Sequence, residues 1–288
     1  MSARTYADRA LALYERIPQS ALAGSFGMDF WVVTAATVGM TRLILGSIDQ
    51  ALDWGMRIPD RVGDSVHPLT KATGLVAPGF ATYCFGDLDR FRRFMVSARQ
   101  LVEEYGFSEV LGWSLQFDAY ARFWQGERAE GLEQMIEANK RLDAVGSLFM
   151  STWRLAMLAE MCLELGNYGA AEENISGSIN LVNGTNERYC EPEVYRVAGE
   201  ITARKAGKDL VAAEGQLREA IAIARKQSAK WWELRAARSL ARLLRDTGRR
   251  DEARAMLAEI YNWFTEGFDT RDLKEAKALL DELYRGVS

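Results

Sequence analysis

Apolar residues recur along this chain at helical spacing, and the recurrence is itself periodic. Ala7, Ala10, Leu11, Leu13, Tyr14 and Ile17 share one side of a helix that stops at Pro18. Beyond it the apolar-periodic stretches come in pairs, each pair divided by a glycine. Gly46, Gly86, Gly126, Gly166, Gly207 and Gly248 follow one another at intervals of 40, 40, 40, 41 and 41 residues. A period this regular marks a helical repeat array rather than unrelated loops. In Leu163-Glu-Leu-Gly166-Asn-Tyr168-Gly-Ala-Ala171 the glycine can adopt the left-handed conformation that ends a helix, and Ala171 is small enough for the next helix to approach closely.

The pattern predicts an all-α fold: a right-handed α-α superhelix of six helical hairpins plus capping helices, one solenoid over 1–288. Residues 1–22 form an N-terminal cap or half of a repeat cut from something longer; arrays need cover on their first apolar face. The repeats span 25–62, 66–105, 108–145, 147–182, 191–227 and 230–264, and 270–285 closes the array. In the first repeat the second helix runs from Ser47 to Arg57, before Pro59. Pro68 suits a first helical turn, whereas Pro78-Gly79 predicts a kink or break near Ala77. Residues 183–188 read as a polar loop. Thr270 is a cap for a last helix that turns Leu273, Ala276, Leu279, Leu280 and Leu283 inward. Phe30, Trp31, Val32, Val33, Val38, Met40 and Ile44 leave the first repeat's first helix apolar almost all round. It must be covered by the N-terminal helix, by a second copy in a homodimer, or by further domains.

A small residue five places after the glycine, then apolar or small ones at nine and twelve, occurs in Ala171-Ile175-Ser178 and Ala253-Leu257-Ile260. It slips by one to Ala213-Leu217-Ala220 in the fifth repeat. This resembles the second helix of tetratricopeptide repeats; Leu158-Ala159 and Leu240-Ala241 fit the first. The stretches Gly126 to Met135, Glu191 to Glu200, Glu233 to Arg242 and Trp263 to Thr270 resemble the C-terminal repeat region of large bacterial signalling proteins. In that family cyclase-like or DNA-binding output domains and a nucleoside-triphosphatase switch precede the repeats. The resemblance implies a regulatory or partner-binding module without the catalytic domains.

Composition narrows the partners. A net charge of −4 spread over 288 residues gives no pull towards nucleic acid or an anionic membrane. The chain has three cysteines without metal-site spacing, and the N-terminus lacks the apolar core of a signal peptide; both point to a reducing, cytoplasmic setting. The single histidine, His67, reads as a loop residue. Neither a Gly-x-x-x-x-Gly-Lys-Ser/Thr loop nor Gly-x-Ser-x-Gly occurs. No catalytic residue, cofactor or metal is therefore expected.

Binding candidates lie on the first helices, whose edge lines the concave side in arrays of the tetratricopeptide kind. Arg235, Arg238, Arg242 and Arg245 fall within roughly an 80° arc. They are fit to take a carboxylate or phosphate, or else form a solvated face paired to acids of neighbouring repeats. Trp113, Gln116, Tyr120 and Phe123 share another face; Trp153 stands at the place equivalent to Trp113, and Phe80 and Tyr83 precede them. These either line an aromatic groove or belong to the core. The leading expectation is a non-catalytic scaffold that holds a protein or peptide segment in its groove. The alternative is a sensor for a small anionic or aromatic ligand.

Overall fold

Tight turns separate helices at four of the six repeating glycines, those among the described residues. The computed structural model describes residues 3–14, 16, 27–63, 67–79, 88–205 and 209–285, and among them there are fourteen helices and no strand. Gly46, Gly126, Gly166 and Gly248 all carry a left-handed φ, between +73° and +108°. An L-residue would be strained there. Gly86 and Gly207 lie outside the described residues.

The chain divides into two compact units, Met1–Leu43 with Ser47–Ser147 and Ile44–Gly46 with Leu148–Ser288. The first holds α1 (Ala3–Tyr14), α2 (Trp31–Ile44), α3 (Ile48–Val62), α4 (Pro68–Val76), α5 (Leu88–Tyr105), α6 (Ser108–Gln125) and α7 (Arg128–Ala144). Leu11 of α1 joins Trp31, Val32, Ala35 and Val38 of α2 and Ile58 and Val62 of α3 in one buried cluster. Arg42 donates to Asp8 at 3.3 Å across α1 and α2. The N-terminal helix therefore covers part of the unusually apolar α2. Contrary to expectation, α3 continues through Pro59 to Val62. Ile58, Pro59 and Val62 are all buried, and their packing outweighs the one backbone hydrogen bond a helical proline forfeits. The break near Ala77 is present: α4 ends at Val76 and residues 77–79 form a 3₁₀ turn.

The second unit holds α8 (Ser151–Glu164), α9 (Tyr168–Gly184), α10 (Glu191–Arg204), α11 (Leu210–Gln227), α12 (Lys230–Asp246), α13 (Arg250–Tyr261) and α14 (Arg271–Arg285). Here α8 pairs with α9, α10 with α11 and α12 with α13, while the first helices pack on one another in the row α8, α10, α12, α14. The small residues at the elbows let the helices close. Ala171, Ala213 and Ala253 are fully buried, together with Ile175, Ser178, Leu217, Ala220, Leu257 and Ile260. In the third repeat the same place is Gly131, where an added Cβ would stand 2.8 Å from the backbone nitrogen of Phe123.

Side chains fasten the ends. Asn167 and Asp209 accept the backbone N–H groups of Ala170 and Ala212 at the starts of α9 and α11. Glu187, in the polar loop after α9, accepts the Thr152 N–H at 3.0 Å and the Ser151 hydroxyl at 3.1 Å, so its carboxylate sits at the N-terminus of α8. Thr270 instead donates its hydroxyl back to the Gly267 carbonyl. The inward set of α14 is buried as expected.

Candidate functional site

In the second unit each first helix contributes charged side chains to the row, and at its centre several of these charges are buried. Residues 231–241 of α12 are all buried, because α12 is flanked in its row by α10 and α14 and by α11 and α13 behind. Arg235 donates to Glu193 at 2.8 Å, to Glu160 at 3.1 Å and to Asp272 at 3.1 Å. Arg238 donates to Asp272 at 2.9 Å and pairs with Glu275 at 3.0 Å. Arg196 joins them, reaching Glu160 at 2.5 Å, Glu193 at 2.7 Å and Glu200 at 3.0 Å. Asp272 also accepts the Trp231 indole N–H at 2.9 Å.

Electrostatics keep this group ionised against the cost of burial. Burial alone raises the pKa of Glu200, but Arg196, Arg204 and the Ser239 hydroxyl bring it down to about 2. The same opposition leaves Asp272 well below the ordinary aspartate value, through Arg235 and Arg238, and lowers Glu193 through Arg196 and Arg235. Burial disfavours the charge on Arg196, yet Glu193, Glu160 and Glu200 hold its pKa well above the ordinary arginine value. Each charge is paired and hydrogen-bonded, as buried charges must be.

Arg235 and Arg238 are thus paired to acids of neighbouring repeats, the second of the two expectations for the stripe, but at 4% and 5% exposed they are buried ties between α12 and its flanking helices rather than a solvated face. The aromatic set is likewise mostly core. Gln116, Tyr120 and Phe123 are buried in the first unit and Trp113 is half-buried. In the second unit the buried Trp153 meets Trp232 edge to face at 6.1 Å, and Trp232 stacks on Trp231 at 4.2 Å. Phe80 and Tyr83 lie outside the described residues.

Arg242 and Arg245 have a different setting. They line an open cleft of about 470 Å³ within the second unit. Its walls are Tyr168 at the start of α9, Glu200, Ala203 and Arg204 at the end of α10, Leu210 and Leu217 of α11, Ser239, Arg242, Leu243, Arg245 and Asp246 of α12, and Thr247 just after it. The polar groups here are unequally engaged. Arg204 donates to Glu164 at 2.6 Å and to Glu200 at 3.0 Å, and Arg245 donates to Asp246 at 2.8 Å and Glu282 at 2.9 Å. Glu200 further accepts the Ser239 hydroxyl at 2.5 Å. Arg242 bonds Glu275 at 3.3 Å, and that carboxylate also takes Arg238 at 3.0 Å and Arg271 at 2.7 Å. The acids around Arg204 and Arg245 raise their pKa values above the ordinary arginine value, whereas burial and the neighbouring Arg238 lower that of Arg242.

The cleft's Tyr168, Glu200, Arg204 and Ser239 were not singled out from the sequence. Their spacing carries the signal in retrospect: Ser239 lies 39 residues, about one repeat, beyond its partner Glu200. The first unit has a smaller cluster, in which Asp118 accepts Arg99 at 2.6 Å, Gln134 at 2.9 Å and Arg122 at 3.2 Å. Among the described residues no group of three His, Cys, Asp or Glu side chains is placed to hold a metal ion, and no helix is long and apolar enough to cross a membrane. No protein-family model matches this chain, and no curated protein matches it.

Proposed function

We propose that this chain is a non-catalytic regulatory module that takes a small anionic ligand in the cleft bounded by α10, α11 and α12. The observation that carries the reading is the cleft itself. It combines apolar walls from Ala203, Leu217 and Leu243 with a guanidinium, Arg242, that has one long hydrogen bond and an unfavourable cationic neighbour. Its volume of about 470 Å³ is within the range of small-molecule sites. The hairpins of each unit would stack as a right-handed array of the tetratricopeptide kind, supported by the row α8, α10, α12, α14. The setting would be the cytoplasm of a bacterium, in a signalling system. A ligand bridging α10 and α12 would change how these helices meet a partner. Thermal-shift screening of anionic metabolites tests the reading: a stabilising ligand whose effect disappears when Ala203 is replaced by Phe supports it, and the absence of any such ligand opposes it.

A second reading, a scaffold for a protein segment, is favoured by the aromatic side chains exposed at the C-terminal end. Phe268 is 47% and Tyr284 57% exposed, with Tyr261 6.0 Å from Phe268 and Arg254 over the Tyr284 ring. Capture of the same partner by the native chain and by a Phe268→Ser, Tyr284→Ser variant would count against it.

A further inference from the structure

The cleft's charges specify more than an anion. Arg204, Arg242 and Arg245 contribute three positive charges to the lining, and Glu200 and Asp246 contribute two negative ones. Arg204 and Arg245 are each held by two carboxylates at ordinary hydrogen-bond distance, whereas Arg242 has only Glu275, at 3.3 Å and shared with Arg238 and Arg271, and is the most loosely held cation of the lining. A phosphate dianion would meet one loosely held guanidinium and the nearby carboxylates of Glu200 and Asp246. A carboxylate matches the guanidinium fork with a single charge, and its two oxygens accept two parallel N–H groups. The cleft wall that carries Arg242 also has Leu243 and Ala203, which suit a short apolar chain.

Resting on the ligand-sensing reading above, we propose that the cleft binds a small monocarboxylic acid with a short apolar stem, its carboxylate on Arg242 and its stem against Leu243 and Ala203. The free acid is the occupant, because the cleft is the size of a small ligand rather than a track for an extended segment.

The test titrates the full chain with hexanoate, hexanamide, inorganic phosphate and an acetylated tetrapeptide ending in leucine. Binding is read by calorimetry and by shifts of the arginine Nε–H signals in NMR. Hexanoate is expected to saturate the chain, to shift the Arg242 signal, and to bind at least about tenfold more tightly than hexanamide, the gain of a charge-assisted hydrogen bond. Arg242→Gln should cost hexanoate at least about tenfold. Ala203→Phe, which fills the cleft without touching its charges, should abolish binding, so the test does not depend on the folding of one variant. Arg225→Gln, on α11 and outside the lining, should leave binding unchanged. The proposal is overturned if hexanoate does not saturate, if phosphate binds more tightly, if Arg242→Gln binds as well as the native chain, or if only the peptide binds. A different small anion found in the cleft by thermal shift, such as a sulfonate or a dicarboxylate, would overturn the monocarboxylate assignment while the sensing reading stands; a neutral ligand there would overturn both.

Discussion

Replacing Asp272 with Asn withdraws one negative charge from the centre of the buried group. The carboxylate accepts Arg235 at 3.1 and 3.3 Å, Arg238 at 2.9 Å and the Trp231 indole at 2.9 Å. The amide keeps one acceptor oxygen but no charge, and turns an N–H₂ donor towards two guanidinium groups. Removing one partner of a buried ion pair costs about 3–5 kcal/mol. Arg235 retains Glu193 and Glu160, and Arg238 retains Glu275, so the low end applies: about 3 kcal/mol, or a fall in melting temperature of about 6–12 °C for a unit of this size. The chain has two compact units, and a single melting temperature mixes them. Urea unfolding should therefore be paired with hydrogen exchange, which should place the loss on α12 and α14. Because the pair is buried, the loss should persist in about 0.5 M salt, where exposed pairs are screened. A loss below about 1 kcal/mol, or one that vanishes in salt, would refute the assignment of this group as a tie between helices.

Acid should act on the same group. The Glu200 pKa is about 2 in the fold against an ordinary 4.5, so its contribution is whole above pH 4.5 and is lost as the pH falls towards 2. It amounts to about 3 kcal/mol. Glu200→Gln should flatten that limb of the stability profile, and an unchanged limb would count against it. At the α6–α7 elbow Gly131→Ala puts a methyl 2.8 and 2.9 Å from backbone atoms of Phe123 and Ala119, and denaturant unfolding should show a loss of about 1–3 kcal/mol. Trp153→Ala, at a position 1% exposed, should cost about 3–5 kcal/mol by the same measurement without touching the cleft. Arg235→Gln should lower stability far more than any ligand affinity; the reverse would return Arg235 to the binding site.

What could be read in advance follows from the range of each interaction. A helix ends where a glycine takes a left-handed φ, and that choice is made by one residue and its immediate neighbours. The elbows at Gly46, Gly126, Gly166 and Gly248 are therefore legible in the chain. So are the inward sets such as Ala253, Leu257 and Ile260, because periodicity decides which residues share a face. Pro59 shows the limit of local rules: its cost is real, but the burial of Ile58 and Val62 outweighs it.

Periodicity does not say what lies against a face. Arg235 and Arg242 sit on the same stripe of α12, and nothing in their spacing separates them. Arg235 meets Glu160, 75 residues away, Glu193, 42 away, and Asp272, 37 away, and is sealed in. One turn and three residues further on, where α10 ends and the row opens, Arg242 borders a cleft. The sequence by itself determined the hairpins and their inward faces, since these depend on neighbours within a few residues. Only the tertiary structure decided which arginines became buried ties and which one was left loosely held, because that depends on carboxylates brought in by other helices 33 or more residues away.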